Sequence, residues 1–270
     1  MFDRGVEIKT PAQIESMREA GLVVASTLEL LRTTAVAGIS TAELDAIAHD
    51  HIRSQGATSN FLGYHGFTGV ICTSVNDEVV HGIPGTRVLR DGDIISIDCG
   101  AIIDGWHGDA AITVAIGDVP DEVSELMRVT EASLWAGIAA ARLGGKVSDI
   151  SHAVETSIRG AGDYGIVEGF TGHGIGSQMH QPPNVPNVGR PRRGVKLVKG
   201  LALAVEPMVT LATPNTRTLD DDWTVVTTDG SLAAHYEHTF TLTDTGAWVL
   251  TAADGGKSQL QALGVPYGGH

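Results

Sequence analysis

Asp98, Asp109, His173, Glu206 and Glu237 stand where the surrounding sequence would lead one to expect apolar residues. Asp98 interrupts the strand-like run Asp93-Ile-Ile-Ser-Ile-Asp98-Cys99. Glu206 follows Leu201-Ala-Leu-Ala-Val205 and precedes Pro207. His173 is wrapped in glycine, in Gly172-His173-Gly174-Ile175-Gly176. Glu237 lies in the alternating stretch Ala234–Leu242, on one face with His235, Thr239 and Thr241. Four carboxylates and an imidazole on core strands cannot be buried together as bare charges, because desolvation and repulsion would force protonation. If they converge, cations belong among them, and two divalent ions offset four carboxylates. Two such ions can acidify a water and polarise a carbonyl, which is what hydrolysis of an unreactive amide requires.

One pair can be placed from local sequence. Asp104-Gly105 is a two-residue hairpin signal between Ile103 and Trp106. With that turn, Asp98 faces Ala111 and Asp109 faces Gly100, so the two Asp are diagonal neighbours on one face. Diagonal Cα atoms lie about 7–8 Å apart. That separation lets both side chains reach metals held about 3.5–4 Å apart. Gly100 leaves room on that face, and Cys99 should point to the other.

The elements that must position these residues are readable from spacing. Thr10-Pro11 caps a helix carrying Ile14, Met17, Gly21, Val24, Leu28 and Leu31. Gly38 ends it, and Ser40-Thr-Ala-Glu43 is a capping box for a second helix to Gly56. Residues 70–116 read as strands. After Pro120 the pattern repeats: a helix to Arg142, Gly144-Gly145, a helix from Ser148 to about Gly160, then strands from about 165 to 250. At an offset of 106 positions Gly38 falls on Gly144, Ile52-Arg53 on Ile158-Arg159, and Gly63 and Gly66 on Gly169 and Gly172. Helices and strands segregated within each half imply an α+β fold. The halves are read as one domain with pseudo-twofold symmetry, and ligand sites favour such junctions.

The local sequences around these ligands also carry a family resemblance. Asn76-Asp-Glu-Val-Val-His81-Gly-Ile-Pro84, Asp98 with Asp104-Gly-Trp-His-Gly-Asp109, Gly172-His-Gly-Ile-Gly176, Val205-Glu-Pro207 and Tyr236-Glu-His238 resemble bacterial type I methionine aminopeptidases, over about residues 8–251. The resemblance implies the pita-bread fold: two pseudo-twofold-related α+β halves around a central antiparallel sheet. The whole chain, 1–270, would be one catalytic domain, with halves at about 8–117 and 118–251 and a flexible tail at 252–270.

The same resemblance assigns Asp98 to one metal and His173 and Glu206 to the other, with Asp109 and Glu237 bridging. Two divalent ions are implied, drawn from Co, Mn, Fe or Zn, since mixed imidazole and carboxylate ligands accept all four. A hydroxide between the metals would be the nucleophile and Glu206 the proton shuttle. His180 would donate to the oxyanion, and His81 would assist the scissile amide or leaving group. Phe61, Tyr64, Phe67, Cys72, His81, Met179, His180 and Trp223 would bind substrate, with apolar and sulfur-bearing walls suited to a thioether. Met179 stands where many relatives have an aromatic residue, which bears on the pocket mouth. The implied function is removal of the initiator methionine from nascent chains with a small second residue. Met1-Phe2 predicts that this protein keeps its own methionine. Two rivals are weighed: an X-Pro aminopeptidase on the same fold, and a non-catalytic relative that binds peptide or RNA.

Composition narrows the class. Hydrophobic content of 42% and charged content of 19% over 270 residues suit a globular protein with a sizeable core. A net charge of −14 argues against wrapping DNA or lying on anionic membrane. The basic stretch Arg190–Lys199 reads first as a solvated loop, with transient contact to ribosomal RNA as the second reading. No run reaches the ~18 apolar residues of a membrane span. The start lacks the apolar stretch of a signal peptide, and Cys72 and Cys99 are too few for a disulfide framework. A cytoplasmic monomer acting on nascent N-termini is the expectation.

Overall fold

The computed structural model describes residues 5–270; the Met1-Phe2 start lies outside them. Helix α1 (Pro11–Thr34) opens on the expected cap, where Thr10 and Gln13 satisfy each other's backbone N–H groups. Its six predicted core positions are all buried. Gly21 is required there: a Cβ would lie 2.2 Å from the Leu250 carbonyl oxygen. Helix α2 (Thr41–Ser54) starts on the Ser40–Glu43 capping box. The strands β1 (Thr58–Ser59), β2 (Ile71–Val75), β3 (Glu78–Val80), β4 (Ile94–Ile103) and β5 (Trp106–Ala115) complete the first half.

The second half begins with α3 (Asp121–Ala140) and α4 (Val147–Ala161). Shifting α2 by 106 positions lands on α4 to within a residue. Gly38 and Gly144 both hold positive φ, 98° and 88°. The glycine matches further on do not persist. Gly66 ends a short 3-10 turn, whereas Gly172 opens a strand. The strands that follow are β6 (Gly165–Ile166), β7 (Gly172–Gly174), β8 (Gln181–Val185), β9 (Ala202–Val205), β10 (Met208–Thr210), β11 (Thr216–Thr218), β12 (Val225–Thr227), β13 (Ala233–His235), β14 (Glu237–Leu242) and β15 (Ala247–Val249).

Among the described residues, nine strands form one sheet, ordered β1-β4-β5-β14-β9-β7-β8, with β2 on β4 and β15 on β14. All its pairs are antiparallel, and the β5–β14 pair joins the halves through Glu237↔Ala111 and His238↔Ala110. Alternation sorts the strands into two faces. Ile95, Ile97 and Cys99 pack with Val24, Leu28, Leu31, Leu44 and Ile52 of α1 and α2. Leu203, Val205, Phe240 and Leu242 pack with Leu126, Leu134, Ile138, Ile150 and Val154 of α3 and α4. The helices thus cover one face, leaving Asp98, Asp109 and Glu237 on the other. Truncating a fully buried residue such as Leu126 to Ala would cost about 2–5 kcal/mol.

Two sequence expectations need revision. The alternating stretch Ala234–Leu242 is not one continuous strand; it divides into β13 and β14 at Tyr236. β9 stops at Glu206-Pro207 and the chain resumes as β10 in a separate three-stranded sheet with β13 and β6. Pro207 has no N–H to continue the ladder, and its carbonyl accepts from Tyr236 N at 3.4 Å. The tail is also packed. Helix α5 (Lys257–Ala262) buries Leu260, and Tyr267 bridges Ala247. Arg18 donates to the carbonyls of Val249, Leu250, Ala252 and Ala253, tying this segment to α1. Long-range contacts of this kind leave no local pattern. Among the described residues, no helix is long and apolar enough to cross a membrane.

Candidate metal centre and substrate pocket

The Asp104-Gly105 turn sets the register of β4 on β5. Both turn residues hold positive φ, 49° and 80°, which glycine tolerates and aspartate tolerates better than most. Asp98 pairs with Ala111 and Asp109 with Gly100, as the sequence predicts. A side chain at Gly100 would collide with Asn60, whose amide donates to the Gly108 carbonyl at 3.0 Å.

Cross-strand pairing carries this row into the second half. Cys72 pairs with Asp98, Asp98 with Ala111, and Ala111 with Glu237. The β9–β14 and β10–β13 pairs keep one register across the break, Val205 with His238 and Met208 with His235. Glu206 and Glu237 therefore face each other where the sheet splits. His173 arrives from β7, whose Gly174 pairs with Leu203. Its Nδ1 donates to the Gly174 carbonyl at 3.0 Å, leaving Nε2 with a lone pair toward the carboxylates.

The resulting distances are those of a coordination shell. His173 Nε2 lies 3.6 Å from Glu206 Oε1 and 3.9 Å from Glu237 Oε1. These are long for hydrogen bonds. Donors each about 2.0–2.2 Å from a shared cation sit roughly 3–4 Å apart. Donor atoms of Asp109, His173 and Glu237 all fall within 4.8 Å of one another. Asp98 Oδ1, Asp109 Oδ1 and Glu237 Oε1 are buried without a hydrogen-bond partner among the described residues. Such orphaned acceptors fit a bound cation.

The charges give the same answer. Burial pushes Asp98 up to about 7. Burial first, and mutual repulsion second, raises Asp109, Glu206 and Glu237 well above the carboxylate range. Burial also drives His173 down to about 3, with His180 adding to it. Without positive charge the carboxylates must hold protons and the imidazole stays neutral; a divalent ion removes the conflict.

Beside this cluster lies a cavity of about 100 Å³. All thirteen residues singled out from the sequence line the site. Phe61, Phe67, Cys72 and Met179 form a buried apolar group, with Tyr64 and Trp223 packed against it. Phe67 meets Trp223 edge-on at 5.0 Å and Phe61 at 6.5 Å. His180 receives a hydrogen-bond partner in Tyr64 Oη, 2.9 Å from its Nδ1, and its ring meets that of His173 at 4.3 Å. His81 sits at φ 61°, a strained value for a non-glycine residue, with its ring against Phe170 at 5.4 Å. Burial, then His180, lowers it to about 4.

The loop that carries Met179 and His180 is clamped from a distance. Glu7 accepts from Ser177 N at 3.1 Å, Ser177 Oγ at 2.7 Å and Gln181 Nε2 at 2.9 Å. Lys9, almost fully buried, pairs with Glu7 at 3.5 Å and donates to Gln181 Oε1 at 3.4 Å. Burial alone would raise Glu7, but these hydrogen bonds and Lys9 bring it down to about 2. Neither residue was singled out from the sequence, because the contact spans about 170 positions.

His235 was also passed over. It is 2% exposed, and its Nε2 lies 3.9 Å from Glu206 Oε2. Its place two residues before Glu237 on an alternating strand was the available signal.

Fold and site together define a metallopeptidase. The sequence matches the profile of Metallopeptidase family M24 over residues 15–244, and the chain belongs to that family. Its relatives narrow the kind. It is 51% identical over 254 residues to "Methionine aminopeptidase 1" of Mycobacterium tuberculosis, covering 92% of this chain and 96% of that protein. It is 50% identical over 248 residues to "Methionine aminopeptidase" of Clostridium acetobutylicum, covering 92% and 99%. The crystal structure of a methionine aminopeptidase from Thermotoga maritima superposes with a TM-score of 0.90 at 38% identity, covering 92% of this chain and 99% of that one. These likenesses establish the pita-bread fold and the use of divalent metal.

Proposed function

We propose that this protein is a methionine aminopeptidase, hydrolysing the first peptide bond of chains that begin with methionine and continue with a small residue. The carrying observation is the junction of a five-donor cluster with an apolar cavity of about 100 Å³. That volume is well below the ~300 Å³ where pockets for drug-sized ligands begin, so it suits one side chain. Cys72, Met179 and the aromatic rings favour a thioether through sulfur–aromatic contact.

Asp98, Asp109, His173, Glu206 and Glu237 would hold two divalent ions. When bound, such ions supply Lewis acidity toward the carbonyl and acidify water. The residues do the rest. Glu206, with 14% of its side chain exposed, would take a proton from the attacking water and return it to the leaving amine. His180, oriented by Tyr64, would donate to the oxyanion as charge develops. His81, whose ring lies 6.2 Å from that of Trp223, would assist the scissile amide or the leaving group. The carboxylate-rich floor attracts the substrate's α-ammonium.

A panel of Met-Ala-Ser-type and X-Pro peptides, assayed after metal removal and add-back of Co²⁺, Mn²⁺, Fe²⁺ or Zn²⁺, tests this reading. Cleavage confined to methionyl peptides is expected. Preference for X-Pro peptides, or no hydrolysis with any metal, would overturn it. The reading extends to a cytoplasmic monomer acting on nascent chains. The exposed basic residues of loop 190–199 would contact ribosomal RNA. Ribosome co-sedimentation that is unchanged when those charges are neutralised would remove that contact from the proposal.

A further inference from the structure

Glu206 is flanked by imidazoles on both of its oxygens. Oε1 faces His173 at 3.6 Å, and Oε2 faces His235 at 3.9 Å. Only the first belongs to the five-donor set. We infer that Glu206, His235 and Glu237 form an additional cation position on the far side of Glu206 from His173.

Three observations carry this. The donor atoms of the three residues lie within 4.8 Å of one another, as those of Asp109, His173 and Glu237 do. His235 Nε2 is buried with no hydrogen-bond partner among the described residues. A buried imidazole nitrogen left without a partner is costly unless something binds it. Its 3.9 Å separation from Glu206 is too long for a hydrogen bond and fits two ligands of one ion, each about 2.0–2.2 Å from it.

The geometry follows from the split in the sheet. His235 ends β13 and Glu237 begins β14. Tyr236 lies between them outside either strand, and donor atoms of both side chains come within 4.8 Å of one on Glu206. His235 is held at its backbone, where N and O both bond to Thr113 Oγ1, at 2.9 and 2.8 Å. A donor set of one imidazole and two carboxylates selects first-row ions such as Co²⁺, Mn²⁺, Fe²⁺ or Zn²⁺ over Mg²⁺ or Ca²⁺. The position shares Glu206 and Glu237 with the centre described above, so it rests on that centre binding metal. An ion there would withdraw the shuttle carboxylate from its proton-transfer role, so turnover would fall as the position fills.

The test uses the full-length protein and Co²⁺ alone. Crystals soaked in stepwise Co²⁺ are read by anomalous difference maps. At high Co²⁺ a peak is expected within bonding distance of His235 Nε2, absent in His235→Gln, whose weakest Co²⁺-binding step by calorimetry should fall at least tenfold. Peaks confined to the Asp98, Asp109 and His173 side at saturating Co²⁺ would overturn the inference. A folded His235→Gln with an unchanged binding isotherm would do the same. Peptide hydrolysis at one or two equivalents of Co²⁺ reports separately on the proposed activity. Its absence would count against that activity and leave the cobalt map to decide this position.

Discussion

The two halves build the same antiparallel strand pair and connect it in opposite ways. In the first half β4 and β5 are joined by two residues, Asp104-Gly105. In the second, β9 and β14 are joined by an excursion through residues 206–236 that holds β10 to β13. The tight turn places Asp98 and Asp109 by local geometry alone. The excursion places Glu206 and Glu237 at its two ends and delivers Trp223 and His235 from within. A duplicated scaffold thus sets two carboxylates at each connection, and the long one adds Trp223 to the pocket wall.

Removing a carboxylate of the cluster from either half should have the largest effect. Asp109→Ala and Glu237→Ala should each weaken metal binding by more than about 100-fold, since even supporting residues cost 10–100-fold. Calorimetry and metal content check this. If only one half matters, the ions do not sit between the halves. Next, Glu206→Gln should lower kcat by about 10²–10⁴-fold. His180→Ala should lower it by about 10²–10³-fold while metal content holds. Single-turnover kinetics on the metal-loaded variants check both, and near-normal turnover in either would remove that residue's role.

Gly105→Val sharpens the role of the short connection. A β-branched residue at φ 80° should cost about 1–2 kcal/mol in chemical denaturation, with metal binding weakened alongside. The smallest effect is expected at Glu7. Its folded pKa is lowered from 4.5 to about 2, so its contribution is present above about pH 4.5 and lost as pH falls toward 2. Glu7→Gln should flatten that part of the acid-stability profile and raise KM modestly, because the Met179–His180 loop loosens. An unchanged profile would show that the clamp is incidental.

How much was legible depends on the range of the interaction. The caps of α1 and α2 and the Asp98–Asp109 register were readable because each is set within about a dozen residues. Cys99 pointing away from Asp98 followed from strand alternation. The break at Tyr236 was hidden, since Ala234–Leu242 alternates as a single strand would. The packed tail was missed because Arg18, more than 230 positions away, holds its start.

The amino-acid order alone singled out the residues whose donor groups suit the proposed chemistry. A carboxylate in an apolar strand is too costly to bury without a counter-charge, and strand periodicity assigns it a face. Only the tertiary structure decided that β14 pairs with both β5 and β9, which closes the five donors into one cluster. That choice, and the approach of His235 and Glu7, depends on contacts between segments far apart in sequence. Burial and sheet order select such contacts; no local propensity encodes them.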